Sequence, residues 1–173
     1  MKTGAHFSHL TRFSVLLLYI CGLVCAGGCT APPGSSIEVK QAPVGGVSKH
    51  KIVSVEVTTR DTDFSPKQVD LLTDSIADGL RKSARFDKIY VGTTSNEHEA
   101  DLKLSVVVQF VIGPNTHKVQ SIESSVVLTD PSDGKTLASA NVNAHSGWAL
   151  FGGHMTNAIA QLSDQIVDFA TKR

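Results

Sequence analysis

Three stretches of this chain gather side chains that could do chemistry. His145-Ser146-Gly147 sets a base beside a hydroxyl, the ingredients of a serine nucleophile. A nucleophile elbow needs glycine two residues before its serine to make the strained turn, and Ala144 stands there instead. A hydrolase using His145, Ser146 or His154 is therefore the weakest functional reading. Asn96-Glu97-His98-Glu99-Ala100-Asp101 carries the ligand types of a calcium or zinc site. In extended backbone, however, Glu97, Glu99 and Asp101 point one way and His98 the other. A solvated acidic loop is the expectation, with no metal. Arg81, Lys82, Arg85 and Lys88 follow a predicted helix, where bases complement the negative end of its dipole. A phospholipid headgroup is the alternative partner for them. No G-x-G-x-x-G, P-loop or H-E-x-x-H occurs. The sequence thus predicts no catalytic residue, no cofactor and no enzyme.

The cysteines point elsewhere. All three, Cys21, Cys25 and Cys29, lie near the N-terminus, so none remains in the rest of the chain for a disulfide or zinc site. Lys2 and Arg12, without any acid, precede an apolar run from Phe13 to Ala26. As a helix that run spans about 21 Å, at ~1.5 Å per residue. A bilayer core of ~30 Å needs about 20 residues, so the run fits a signal peptide better than a permanent span. Small residues follow, Ala26-Gly27-Gly28, and then Cys29. This stretch resembles the lipobox of bacterial lipoprotein precursors, with Ala26 where leucine is commoner. The resemblance covers residues 1–30. It implies removal of residues 1–28, a diacylglyceryl thioether on Cys29 and usually an acylated amine. Thr30, in place of the aspartate that retains such proteins in the inner membrane, favours the outer membrane. Secretion after a cut near Ala26 or Ala31, and an uncleaved anchor, are the rival readings.

Beyond the leader the surface is ordinary. The 16 basic and 16 acidic residues cancel, and removing Lys2 and Arg12 leaves a small negative excess. Nucleic acid is not an expected partner. Residues 29–50, with Pro32, Pro33, Gly45 and Gly46, are expected to form a mostly flexible tether, within which Ile37-Glu38-Val39 could make a short strand without a strong boundary. Residues 51–173 are expected to form one domain. Ile52, Val53, Val55 and Val57 begin a strand. Ser65-Pro66-Lys67-Gln68 opens a helix over about 66–83 with a capping box, and Phe64 and Val69 sit at the staple positions. Short alternating runs predict strands over 86–91, 102–112, 118–129 and 136–144. In the second of these, Leu102, Leu104, Val106, Val108, Phe110 and Ile112 share one predicted face. A stripe of Met155, Ile159, Leu162, Ile166 and Phe169 predicts a closing helix over about 154–171. The order β-α-β-β-β-β-α gives an α+β two-layer sandwich, with a mixed, mainly antiparallel sheet and two helices on one face.

The runs RFDKIYV at 85–91, EADLKLSV at 99–106 and VVLTDPSDGKTL at 126–137 make the domain resemble small periplasmic lipoproteins. Their fold is that of the TolB N-terminal domain and the curli lipoprotein CsgG. The resemblance is one of shape and carries no catalytic residue across. One loop remains, Ser146 to Gly153, where Trp148, Leu150 and Phe151 lie among four glycines. Its aromatics either cover the end of the core or dock a partner or membrane, for which tryptophan is favoured. The expected function is a non-enzymatic accessory or assembly domain, lipid-anchored on the periplasmic side of the outer membrane and bound to an envelope protein. An auxiliary domain binding a lipid or other hydrophobic ligand between sheet and helices is the alternative.

Overall fold

The computed structural model describes residues 32–42, 47–92, 99–112, 120–147 and 154–172. These form one six-stranded mixed sheet with two helices packed on one of its faces, the expected α+β class. In chain order the strands are β1 (Gly34–Gln41), β2 (Ile52–Thr59), β3 (Lys88–Val91), β4 (Leu102–Ile112), β5 (Ser121–Thr129) and β6 (Thr136–His145). The helices are α1 (Pro66–Lys82) and α2 (Met155–Thr171). Across the sheet the strand order is β1-β6-β5-β4-β2-β3. β2 pairs in parallel with both β3 and β4, and α1 makes the crossover from β2 to β3. β4, β5, β6 and β1 are antiparallel neighbours in turn.

The core follows the period of two. Val53 and Val55 of β2, Leu102, Leu104, Val106 and Val108 of β4, and Ile122, Val126 and Leu128 of β5 are all inaccessible to solvent. Small residues on β6, Ala138, Ala140 and Ala144, let α2 approach, and α2 lays Ile159, Leu162, Ile166 and Phe169 against them. The two helices meet where Gly79 faces Val167, and a Cβ on Gly79 would stand 2.6 Å from Val167 Cγ2. At the start of α1, Gln68 Oε1 accepts the Ser65 backbone N–H at 2.7 Å, one half of the predicted capping box, and Phe64 is buried beneath it. Gly134 adopts φ of 70° in the β5–β6 turn, as that turn requires.

Two expectations need correction. The stretch read as a tether enters the sheet: Gly34–Gln41 is edge strand β1, paired with β6 from Gly34↔His145 to Gln41↔Ser139. It also packs against α2, and Val47 further on is buried in the core. The strand is hard to read because its own alternation is weak. It is held by the ladder to β6 and by Ile37, which lies on the core edge. The second correction concerns the last turn of β4. The register with β5 shifts between Val108 and Phe110, a β-bulge. One extra residue moves every later side chain to the opposite face. Val111 is therefore buried, while Phe110 and Ile112 are 51% and 41% exposed on the open face.

Candidate functional site

Two regions of the described domain can meet something outside it. They lie at opposite ends of the sheet.

The first is a polar cleft where β2 and β4 begin and β5 ends. His50, Ser54, Asp101, Lys103, Asp130 and Ser132 line a volume of about 570 Å³. The Asp101 carboxylate accepts the Lys51 backbone N–H at 2.9 Å and that of Ile52 at 2.9 Å, tying the start of β2 to the start of β4. His50 Nδ1 stands 3.8 Å from the same carboxylate. Lys103 reaches Glu56 at 2.9 Å. Asp130 accepts both the Ser132 hydroxyl, at 2.6 Å, and its backbone N–H, at 2.9 Å. These bonds, the hydroxyl's first, hold the Asp130 carboxyl below the usual carboxylate range, with His50 and Lys135 adding to the effect. Nearby, Tyr90 donates its hydroxyl to Glu99, which raises the phenol above its usual value. The Ser54 hydroxyl is buried without a hydrogen-bond partner. Most polar groups of the cleft are thus committed to fixing strand starts and the β5–β6 turn. The Ser132 hydroxyl, donated to the Asp130 carboxylate, is part of the bonding that closes the β5–β6 turn.

The second region is the apolar corner at the far end of β4, about 30 Å away at ~3.3 Å per strand residue. Asp61 builds it. One carboxylate oxygen accepts the Asp63 N–H at 2.8 Å, and the other accepts the Val111 N–H at 2.8 Å. The amide released by the bulge is thereby satisfied, and the register that turns Phe110 and Ile112 outward is fixed. Pairing carries the row from Ile112 through Ser121 and His145 to Gly34. The outward residues beside Phe110 are Glu123 of β5, then Asn143 of β6 and Ser36 of β1.

The residues singled out in the sequence fall as follows. Ser146 is buried, and its hydroxyl accepts the Gln120 N–H at 3.1 Å and donates to the Gly147 carbonyl at 3.0 Å. His145 lies on the open face against Gly34, where an added Cβ would meet its ring at 2.8 Å. The structure does not bring the two together as base and nucleophile, and His154 is exposed at the start of α2. Cys29, Trp148, Leu150 and Phe151 lie outside the described residues, as do Glu97 and His98 of the acidic loop. Among the described residues no three His, Cys, Asp or Glu side chains could hold a metal. Arg85 has a role the sequence did not reveal. Its guanidinium donates to the carbonyls of Val47 and His50, at 2.6 and 3.2 Å, and so pins the turn that leads into β2. The bulge left no mark in the apolar pattern. The only signal available was an acidic pair, Asp61 and Asp63, just before a helix start.

A mixed sheet open at both edges and covered on one face by two helices defines the fold class. No family model and no curated protein matches the sequence. Among solved structures, the fold is shared with PelC from Paraburkholderia phytofirmans, solved as a dodecamer. The two are 15% identical, the match covers 80% of this chain and 99% of that one, and the TM-score is 0.62. Protein XCC0632 from Xanthomonas campestris, of the DUF330 family, matches at 14% identity over 78% of this chain and 92% of its own, with a TM-score of 0.55. A third match, the lipoprotein GNA1162 from Neisseria meningitidis, overlaps too loosely to define a shared fold, at a TM-score of 0.36. At these identities the likeness is one of fold.

Proposed function

We propose that this is a lipid-anchored cell-envelope protein. It is a non-enzymatic assembly domain held to the outer membrane by Cys29, facing the periplasm and joined to an envelope protein. The observation that carries the reading is the order of features at the N-terminus. A basic segment and an apolar run too short to span a bilayer lead into Ala26-Gly27-Gly28-Cys29, and the fold begins at Gly34, five residues beyond that cysteine. The shared fold of a protein solved as a dodecamer makes further copies of this chain the first partner to test. Against a carrier of hydrophobic ligands stands the interior, where Leu72, Ile76 and Leu80 of α1 and Ile159, Leu162 and Ile166 of α2 fill the space above the sheet.

Mass spectrometry of the protein extracted from membranes tests the anchor. A chain beginning at Cys29 and carrying acyl chains is expected; an unmodified chain, or one beginning elsewhere, would sink the reading. Native mass spectrometry of the same material tests assembly. A monomer at tens of micromolar, with no envelope protein recovered after crosslinking in cells, would remove the assembly role.

A further inference from the structure

We infer that the apolar corner of Phe110 and Ile112 rests on the membrane, so that the domain stands with this end of its sheet on the lipid surface and the polar cleft at the far end. The placement rests on the lipid-anchored reading above.

The chain itself sets the distance. Five peptide links join Cys29 to Gly34. No conformation of so short a connection exceeds about 18 Å, at ~3.6 Å per residue. Gly34 is the first residue of β1 and pairs with His145, the last of β6. His145 pairs with Ser121, and Ser121 with Ile112, all in one row across the end of the sheet. Three strand spacings of ~4.8 Å place Ile112 about 15 Å from Gly34. The opposite end lies roughly 30 Å further along the strands. A lipid on Cys29 therefore holds one end of the sheet near the bilayer and cannot bring the cleft end equally near without laying the domain on its side.

The near end carries what an interface favours. Phe110 and Ile112 are two of only four large apolar side chains that stand exposed among the described residues. Both project from the same face of one strand, two residues apart. The bulge turns them outward, and Asp61 holds the bulge by its bond to the Val111 amide. Apolar side chains presented by a rigid element next to an acyl anchor add to its hold in proportion to the apolar area they bury. A lipid surface is favoured over a second copy as the occupant because the short connection brings the bilayer to this corner in every molecule.

The test uses the full lipidated protein in vesicles of phosphatidylethanolamine and phosphatidylglycerol. Because no cysteine follows Cys29, a single nitroxide label can be placed through Phe110→Cys, Ile112→Cys or, at the cleft, Ser132→Cys. In vesicles, the labels at 110 and 112 are expected to lose collisions with a water-soluble nickel chelate and to gain collisions with oxygen. The label at 132 should remain as exposed to the chelate as in detergent. Equal chelate access at all three positions, on protein whose Cys29 is shown by mass to carry lipid, overturns the placement and leaves the anchor standing. Spin–spin broadening between labels at 112, with shielding that persists in detergent, assigns the corner to a second copy and likewise overturns it. If the mass shows no lipid on Cys29, the anchored reading fails and the placement fails with it.

Discussion

The two ends of the sheet solve the same problem with opposite surfaces. Both must satisfy backbone groups where strands stop, and both use an aspartate that accepts two amides. Asp101 takes those of Lys51 and Ile52, and Asp61 takes those of Asp63 and Val111. At the cleft end the result is a set of polar side chains, most of them bonded to strand starts or to one another. At the other end the same device stabilises a bulge, and the bulge exposes two apolar residues that regular alternation would have buried. The difference teaches that exposure here is built in by a specific hydrogen bond and is no accident of a fraying strand.

The largest effect expected from breaking this asymmetry is on location. Cys29→Ser should release the protein from the membrane or leave its leader uncut, while the urea midpoint of the domain stays that of the wild type. Wild-type fractionation and migration of this variant would mean that neither end has a fixed relation to the bilayer. Next comes a pair of identical substitutions. Phe169 is buried in α2, and Phe169→Ala should cost about 3–5 kcal/mol by urea unfolding. Phe110→Ala should cost no more than ~0.5 kcal/mol, as exposed positions do. A comparable loss at both would return Phe110 to the core and erase the bulge. Smaller again are the two clamps. Asp61→Ala and Asp101→Ala each free two amides and should each cost roughly 1–3 kcal/mol, Asp101 toward the lower figure because its side chain is 42% exposed. Asp61→Ala should in addition raise hydrogen exchange at Val111, a change that Asp101→Ala should not produce.

Much of the fold was legible because its elements obey strong periods. β2 begins at Ile52 and β4 runs from Leu102 to Ile112, where alternation predicts, and α1 starts at the Ser65-Pro66 signal. What failed was whatever depends on a neighbour. β1 opens with Gly34-Ser35-Ser36 and carries only Ile37 and Val39 as apolar residues, and it becomes a strand because β6 offers it a ladder. The bulge needs Asp61, which is remote from Val111 in the sequence. The cleft needs residues from three separate connections, at His50, Asp101 and Asp130. The proposed anchor rests on residue type and order alone, so sequence could suggest it in a way that it could not suggest the two ends of the sheet.

The smallest expected effect probes whether charge holds the cleft end. The Asp130 carboxyl titrates below its ordinary value in the folded protein because it accepts the Ser132 hydroxyl and amide. As pH falls, the unfolded chain takes up this proton first, at about 3.9, so folding loses the contribution between that value and the lower folded one. Above about pH 5 the contribution is complete. Asp130→Asn keeps an oxygen for Ser132 but cannot titrate. Its urea midpoint should therefore fall less than that of the wild type between pH 5 and pH 3, so that the two proteins differ most at pH 7 and converge as the pH falls. His50 and Lys135 also act on this carboxylate, so added salt should narrow the difference at pH values where it is ionised. Parallel acid profiles for the two proteins would show that the β5–β6 turn is held by Gly134 and the backbone ladder alone, leaving Asp130 with no electrostatic part in closing that end.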